Sequence, residues 1–408
     1  MNLIQSAPAT PADQDPRTLH GAALIAALRE CRALTWSRVE DLDDNQWRVP
    51  RRPGINPLAW ELAHIAWFAE FWILRGPHTP AADGYVHAGS PPRIAGPDAL
   101  FDSARLAHAL RWDAPLPTRA QLHARLAEQL EACIAAVPPP DADPYFHRLA
   151  LFHEDMHGEA FAWLRATLGL PAPRGLALTR LAYRAPLAIA VGEEALGGAR
   201  AAQGFAFDNE LPGRRLKLAA FEIDATPVSA GALLRFVEAG GYDDPRWWPG
   251  AAGTWRAASE LAHPQRWRRH VAGTGTRWEQ RWFDRWIELD PDTPAIHLNA
   301  WEAEAYAQWA GRRLPSAAEW EHAARGEPRF AWGAGRGDVW EWTADAFLPH
   351  AGFAPGPYRD YSAPWFGNHR ELRGGAFATH ARMHDARYRN FFSSERTDIF
   401  AGFRTAAR

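Results

Sequence analysis

Phe152-His153-Glu154-Asp155-Met156-His157-Gly158-Glu159 is the stretch that decides how this chain is read. His153 and His157 stand four residues apart, and in a helix that spacing puts both imidazoles on one face, a turn from each other. Two rings so placed reach a single metal ion. Upstream, Leu62-Ala63-His64-Ile65-Ala66-Trp67-Phe68 carries a third histidine in another stretch of helical pattern. Three histidines from two helices of a bundle make a centre with open coordination positions, which suits catalysis better than structure. The same stretch also spells His153-Glu154-x-x-His157, the zinc-protease pattern with Glu154 as general base. That reading needs a further ligand in a set place. Gly158-Glu159-Ala160-Phe161-Ala162-Trp163 follows without the glycine and histidine of the extended metzincin pattern. Glu193 and Glu194 are the remaining candidates, past the end of the helix. A pair of ordinary core or surface imidazoles is the bland alternative to both.

Outward from these histidines, hydrophobic periodicity lays out a bundle. Residues 18–48 read as a helix on Leu24, Leu28, Leu34, Trp36 and Val39, and residues 56–75 as a second on Leu58, Leu62, Ile65, Phe68, Trp72 and Leu74. A loop of Gly and Pro, 76–97, follows. Residues 118–137 form another amphipathic helix, opened by Thr118 as N-cap and closed by Pro138-Pro139-Pro140. The helix carrying His153 and His157 spans 144–168 and ends at Gly169 and Pro171. Four main helices with intervening loops predict an antiparallel bundle over 18–171. Residues 172–200 read as a linker. From there to 408 the segments are short, broken by Gly and Pro, and read as an irregular α+β domain. Residues 216–223 alternate like a strand. Residues 229–239, 300–311 and 316–325 read as helices, and turns run from there to the end.

Composition narrows the function classes. A length of 408 residues accommodates two domains, and 47% apolar with 23% charged residues is ordinary for a soluble protein. The net charge of −3 gives no basic excess for nucleic acid and no polybasic run for a membrane surface. Lys217 is the single lysine, so arginine carries nearly all the positive charge. The two cysteines, Cys31 and Cys133, fall in helical apolar patterns and imply no disulfide framework. Residues 1–17 lack the charged and apolar regions of a signal peptide, and no apolar run is long enough to span a bilayer. A cytoplasmic protein is expected. The 21 tryptophans are mostly core or interface material, with some available to line a cationic ligand.

Several strings in the second half occur in a telling order: Asp208-Asn209-Glu210-Leu211-Pro212, Gly240-Gly241-Tyr242, Arg313-Leu314-Pro315-Ser316-Ala317-Ala318-Glu319-Trp320-Glu321, Gly337-Asp338-Val339-Trp340-Glu341-Trp342-Thr343, Leu372-Arg373-Gly374-Gly375 and Gly402-Phe403-Arg404. Together they resemble the formylglycine-generating-enzyme fold, a C-type-lectin-like domain. The first half is similar to the DinB-like four-helix bundle that precedes this domain in the iron-dependent sulfoxide synthases of ergothioneine biosynthesis. Leu62-Ala63-His64-x-x-Trp67-Phe68 and His153-x-x-x-His157-x-Glu159 match that family's metal motifs.

The resemblance implies Fe(II) held by His64, His153 and His157. It also implies O2-dependent joining of a chalcogen to the imidazole of hercynine, the Nα-trimethylated histidine. Tyr358-Arg359-Asp360-Tyr361-Ser362 looks like the family's tyrosine pair, with Tyr358 assisting proton transfer and Tyr361 contacting hercynine. Asn390, in Tyr388-Arg389-Asn390-Phe391-Phe392, matches a hercynine contact. Phe391 and Phe392 either face the trimethylammonium or pack, and one of them is expected to pack. Departures from the family bear on the donor. Met156 stands where Gln is common. Phe101-Asp102-Ser103-Ala104-Arg105, His108 and Arg111-Trp112 replace another pattern, and Phe392 is apolar near a place where one branch carries an acid. These departures look like the selenoneine synthase branch, which joins the selenosugar 1-seleno-β-D-glucose to hercynine. The usual thiols, γ-glutamylcysteine or cysteine, are the alternative donors, and a ligand-binding module without catalysis is the third class.

In chemical terms, three neutral imidazoles leave about three open positions, enough for substrate imidazole, chalcogenolate and dioxygen together. Glu159 is a candidate acceptor for a ligand imidazole, or a helix-surface carboxylate. Arg105, Arg111 and Arg125 are candidate polar contacts for the donor, against the default of surface arginines.

Overall fold

The computed structural model describes residues 15–182, 184–190, 192–197, 204–272, 275–333 and 339–408. Residues 1–14, the 198–203 boundary, Gly337 and Asp338, and the side chains of Glu193 and Glu194 lie outside the described residues. The chain divides into two compact units.

The first unit holds the chain to Leu164, together with Arg200–Ala206 and Gly356–Asp360. Its helices are α1 (Gly21–Ser37), α2 (Leu58–Leu74), the single turn α3 (Asp98–Phe101), α4 (Arg119–Ala135) and α5 (Tyr145–Leu168), with a small antiparallel pair, β1 (His78–Pro80) and β2 (Val86–Ala88), inside the expected loop. The expected four-helix bundle is there, with the first helix ending at Ser37 and not near 48. Helix α4 begins where Thr118 predicts: its side chain accepts from the Gln121 amide, and Gln121 reaches back to the Thr118 backbone N–H. Helix α2 is rich in Ala, Leu and Glu, good helix formers, and apolar nearly all round. A helix of that kind is a core helix, and Trp60, Leu62, His64, Phe68 and Trp72 are all buried.

The second unit comprises Arg165–Ala199, Phe207–Pro355 and Tyr361–Arg408. Its elements in chain order are β3 (Leu187–Ile189), β4 (Gly192–Leu196), β5 (Arg214–Leu218), β6 (Phe221–Ile223), α6 (Ala230–Glu238), α7 (Ala251–Ser259), β7 (Trp267–Ala272), β8 (Gly275–Trp282), β9 (Arg285–Glu288), α8 (Ala300–Trp309), α9 (Ala317–Gly326), β10 (Trp340–Ala346), β11 (Arg370–Gly374), β12 (Asn390–Phe392) and β13 (Ala401–Gly402). Three expectations are corrected. The segment expected as linker contains β3 and β4, which pair antiparallel with β6 and β5. The single strand expected over 216–223 is two strands that pair with different partners. The turns expected after 325 include a four-stranded sheet in the order β12-β11-β10-β13. Charged pairs lie inside this unit. Arg404 grips the Glu341 carboxylate, to which the Trp320 indole also donates at 3.0 Å. Arg373 and Arg389 share Glu371 at 2.9 and 2.7 Å. These cations hold the Glu371 carboxyl down at about 2 against the opposing effect of burial.

Candidate metal centre

Helices α2 and α5 bring three imidazoles together. His64 Nε2 lies 3.2 Å from His153 Nε2, and His157 Nε2 lies 3.3 Å from the same atom. One nitrogen from each ring falls within 4.8 Å of the others. Two nitrogens bound to one ion at about 2.1 Å, at roughly right angles, would be about 3 Å apart, so the spacing fits adjacent positions on a single metal ion.

Two of the outer nitrogens are held. His64 Nδ1 donates to the Phe101 carbonyl at 2.7 Å, and His157 Nδ1 donates to Glu61 Oε1 at 2.7 Å. Each bond places the proton on Nδ1 and leaves the Nε2 lone pair facing inward. Burial, and the neighbouring imidazoles, push His64 and His153 well below the usual histidine range. Both rings are therefore neutral near pH 7, the form a metal needs. His153 also stacks on Phe68, centroids 3.6 Å apart and planes 6° from parallel.

Local chemistry explains why the Phe101 carbonyl is in place. The buried Glu70 carboxylate, a turn and a half beyond His64 on α2, accepts from the backbone N–H groups of Arg93, Ile94 and Ala95. Gly96 follows at φ +105°, and a Cβ there would meet the Phe101 ring at 2.8 Å. The Trp60 indole donates to the Leu100 carbonyl at 2.8 Å, and Trp67 donates to Asp98 at 2.7 Å. The segment is thus tied along α2 and ends on His64.

Tyr358 lies in this same unit. Its ring meets Phe68 edge-on at 4.9 Å and lies 6.3 Å from His153. Burial raises its phenol above the ordinary range, and the Asp360 and Asp102 carboxylates push the same way while a Ser103 hydrogen bond opposes them. Asp102 is itself raised, by burial first.

The other expected residues divide between the units. Arg105 donates to Asp102 at 3.1 Å and stacks over Tyr85, and Arg111 donates to Asn56 Oδ1 at 2.7 Å with its guanidinium 3.9 Å above Trp60. The Arg125 guanidinium lies beside Gly96. Met156 is partly exposed on α5, one position before His157. In the second unit, Tyr361 stacks on Phe207 at 4.6 Å, and its hydroxyl is 3.1 Å from that of Tyr388. Asn390 pairs with Leu372 across β12 and β11, and its side-chain oxygen accepts from the Phe391 amide. Phe391 packs face-on against Phe347 at 4.2 Å, and Phe392 lies under the Arg396 guanidinium at 5.0 Å.

Two expectations change. The carboxylate on a ligand imidazole is that of Glu61, whereas Glu159 is buried two positions past His157, where a helix turns it to another side. Glu154, the would-be base of a zinc protease, is bound by Arg32 at 2.7 and 3.0 Å in a buried ion pair, and Gln129 holds the same guanidinium at 2.9 Å. A carboxylate so engaged faces α1 and α4 and is not free to activate a metal-bound water. Sequence reasoning missed Glu61: it stands three residues before His64 on the same helix face, but its partner is His157 of α5, which spacing along α2 does not reveal.

Comparison with known proteins agrees with this two-part organisation. Residues 27–164 match the DinB superfamily, and residues 179–336 and 335–408 match the sulfatase-modifying factor enzyme 1-like domain. Hercynine oxygenase of Mycobacterium tuberculosis is 33% identical over 436 residues, spanning 94% of this chain and 98% of that protein. Hercynine oxygenase of Mycolicibacterium thermoresistibile is 32% identical and spans 95% of each. The formylglycine-generating enzyme of Thermomonospora curvata is 29% identical and covers 55% of this chain.

Proposed function

Because the chain belongs to the hercynine oxygenase family, we propose that it is an Fe(II)-dependent oxygenase that joins a chalcogen to the imidazole of hercynine. The observation that carries this reading is the convergence of three Nε2 atoms, two of them with their Nδ1 protons committed to Phe101 and Glu61. Ferrous iron, when bound, would supply open positions where dioxygen and a deprotonated chalcogen donor meet. Nitrogen-only, neutral ligation by His64, His153 and His157 fits that ion. Tyr358 is the proposed proton donor: its phenol stays protonated near neutral pH and stands against Phe68 and His153. Tyr361 and Asn390 are proposed hercynine contacts on the family motif. Phe391 has one face committed to Phe347, which favours packing for that ring.

For the donor, the relatives favour the ergothioneine-type reaction, and a thiol is the first reading. A specific observation favours the selenosugar as the second. Arg105 is paired with Asp102, Arg111 is tied to Asn56, and Asp360 adds another carboxylate near Asp102. Surroundings of that charge offer little to the carboxylates of γ-glutamylcysteine and suit a neutral sugar better. The deciding experiment gives the purified chain ferrous iron, air and hercynine with 1-seleno-β-D-glucose, γ-glutamylcysteine and cysteine in competition, read by mass spectrometry. A sulfur adduct supports the first reading and a selenium adduct the second. Tight hercynine binding without oxygen uptake from any donor would leave a binding module and sink both.

A further inference from the structure

We propose that Arg111 is a positioning residue that braces two of the three metal ligands at once, reaching His64 through Trp60 and His157 through Asn56 and Glu61. The inference rests on the metal-centre reading above. On one side, the Arg111 guanidinium lies 3.9 Å over the Trp60 ring. Trp60 in turn stacks on His64 with centroids 5.0 Å apart and planes 8° from parallel. Trp60 thus contacts both the Arg111 guanidinium and the imidazole of a proposed ligand. On the other side, Arg111 Nη1 donates to Asn56 Oδ1 at 2.7 Å, and Asn56 Nδ2 donates to Glu61 Oε2 at 3.2 Å. The other oxygen of the same carboxylate, Oε1, holds His157 Nδ1 at 2.7 Å.

Each link suits its chemistry. The planar arginine can stack and donate sideways at the same time, which a lysine ammonium cannot. Asn56 offers an oxygen to the cation and an N–H to the carboxylate, so the charges are joined in the correct sense without touching. Glu61 is buried, and a buried carboxylate needs both its oxygens satisfied. Rotation of Arg111 would loosen the His64 ring and the Glu61 carboxylate together. This places Arg111 on the ligands and not on the donor, and its side chain stays where His108 and Trp112 tie the same loop to the Ile55 and Val49 carbonyls at 2.8 and 2.9 Å.

The test uses the full chain, metal-free, titrated anaerobically with Co2+ and with Fe2+ against a competing chelator. The variants are Arg111→Met, Arg111→Lys and Asn56→Leu, each checked by metal-free thermal unfolding. Groups that orient ligands typically contribute 10- to 100-fold to metal affinity. Arg111→Met is expected to weaken Co2+ binding about tenfold or more, with Arg111→Lys recovering little of it because the stack and fork are lost. Asn56→Leu is expected to weaken binding less, since the Trp60 stack survives. The double variant should fall short of the product of the two single effects, because both cut one chain. Unchanged metal affinity with a raised KM for the chalcogen donor would overturn the proposal and make Arg111 a substrate contact. A wild-type chain that binds neither ion would instead remove the metal centre itself, a separate failure seen before any variant is made.

Discussion

Tyr358 and Glu154 show how single side chains separate one chemistry from another. If Tyr358 supplies a proton during turnover, Tyr358→Phe should lower kcat by about 10²-fold or more while Fe2+ affinity stays as in wild type. An unchanged rate would take the phenol out of the reaction. Glu154 is buried against Arg32, so Glu154→Ala leaves an uncompensated buried guanidinium. A loss of about 3–5 kcal/mol in urea unfolding is expected. A zinc protease would predict the reverse pattern, a stable variant that no longer cleaves peptides. The three histidines were legible in sequence because helical spacing alone places His153 beside His157 and a motif of its own, Leu62-Ala63-His64-x-x-Trp67-Phe68, marks His64. Glu61, Asn56 and the Phe101 carbonyl were not, because their roles depend on how α2 turns toward α5 and how a loop is tied back onto it. The zinc-protease spelling already lacked its further ligand in sequence, but spacing places Glu154 on the helix without saying that Arg32 of another helix holds it.

At the scale of elements, the 93–101 segment behaves as a strap on α2. Glu70 accepts three successive backbone N–H groups, and the strap ends with the carbonyl that fixes His64. Glu70→Ala would strand those three donors, of which the Ala95 N–H is buried and the other two part-buried. It is expected to cost about 3 kcal/mol or more in urea unfolding and to weaken Co2+ binding, since the Phe101 carbonyl would lose its place. A stability loss with no change in metal affinity would show that the strap does not reach the ligand. The helices of the bundle were readable because each carries several turns of periodic apolar residues, with a start signal where Thr118 opens α4; the end of α1, at Ser37, was not marked in this way. The strands of the second unit were not. β3, β6 and β12 have three residues each, too few for alternation to stand out, and each is fixed by a partner distant in sequence. What looked like one strand from 216 to 223 is two because its halves answer to different partners.

Across the whole molecule, buried imidazoles set the response to acid. His64, His153 and His297 are pushed well below the usual range by burial, and His350 falls to about 3. Unfolded, each would titrate near 6.5. Below that pH the unfolded chain binds more protons than the folded one, so stability falls as pH drops from about 6.5 toward the folded values. Glu302, raised to about 7 by burial, works in the opposite sense between its ordinary value and 7, as do Asp102 and Asp360, also raised by burial; His78, His147 and His369 are lowered by burial and add to the imidazole side. The metal-free chain should therefore show a Tm that declines steadily from pH 7 to pH 5, and saturating Fe2+ or Co2+ should raise the Tm at pH 7 by mass action. A flat profile would mean that these imidazoles are protonated in the folded state. One more consequence lies in how the first unit is assembled. Its three ligand histidines are all made by residue 157, but Tyr358 belongs to the same unit and is encoded far downstream. At about 5–20 residues per second a ribosome delivers that phenol roughly 10–40 s after the last histidine. A nascent chain can thus gather the three histidines well before the proposed proton donor exists, and a prematurely terminated product would carry the one without the other.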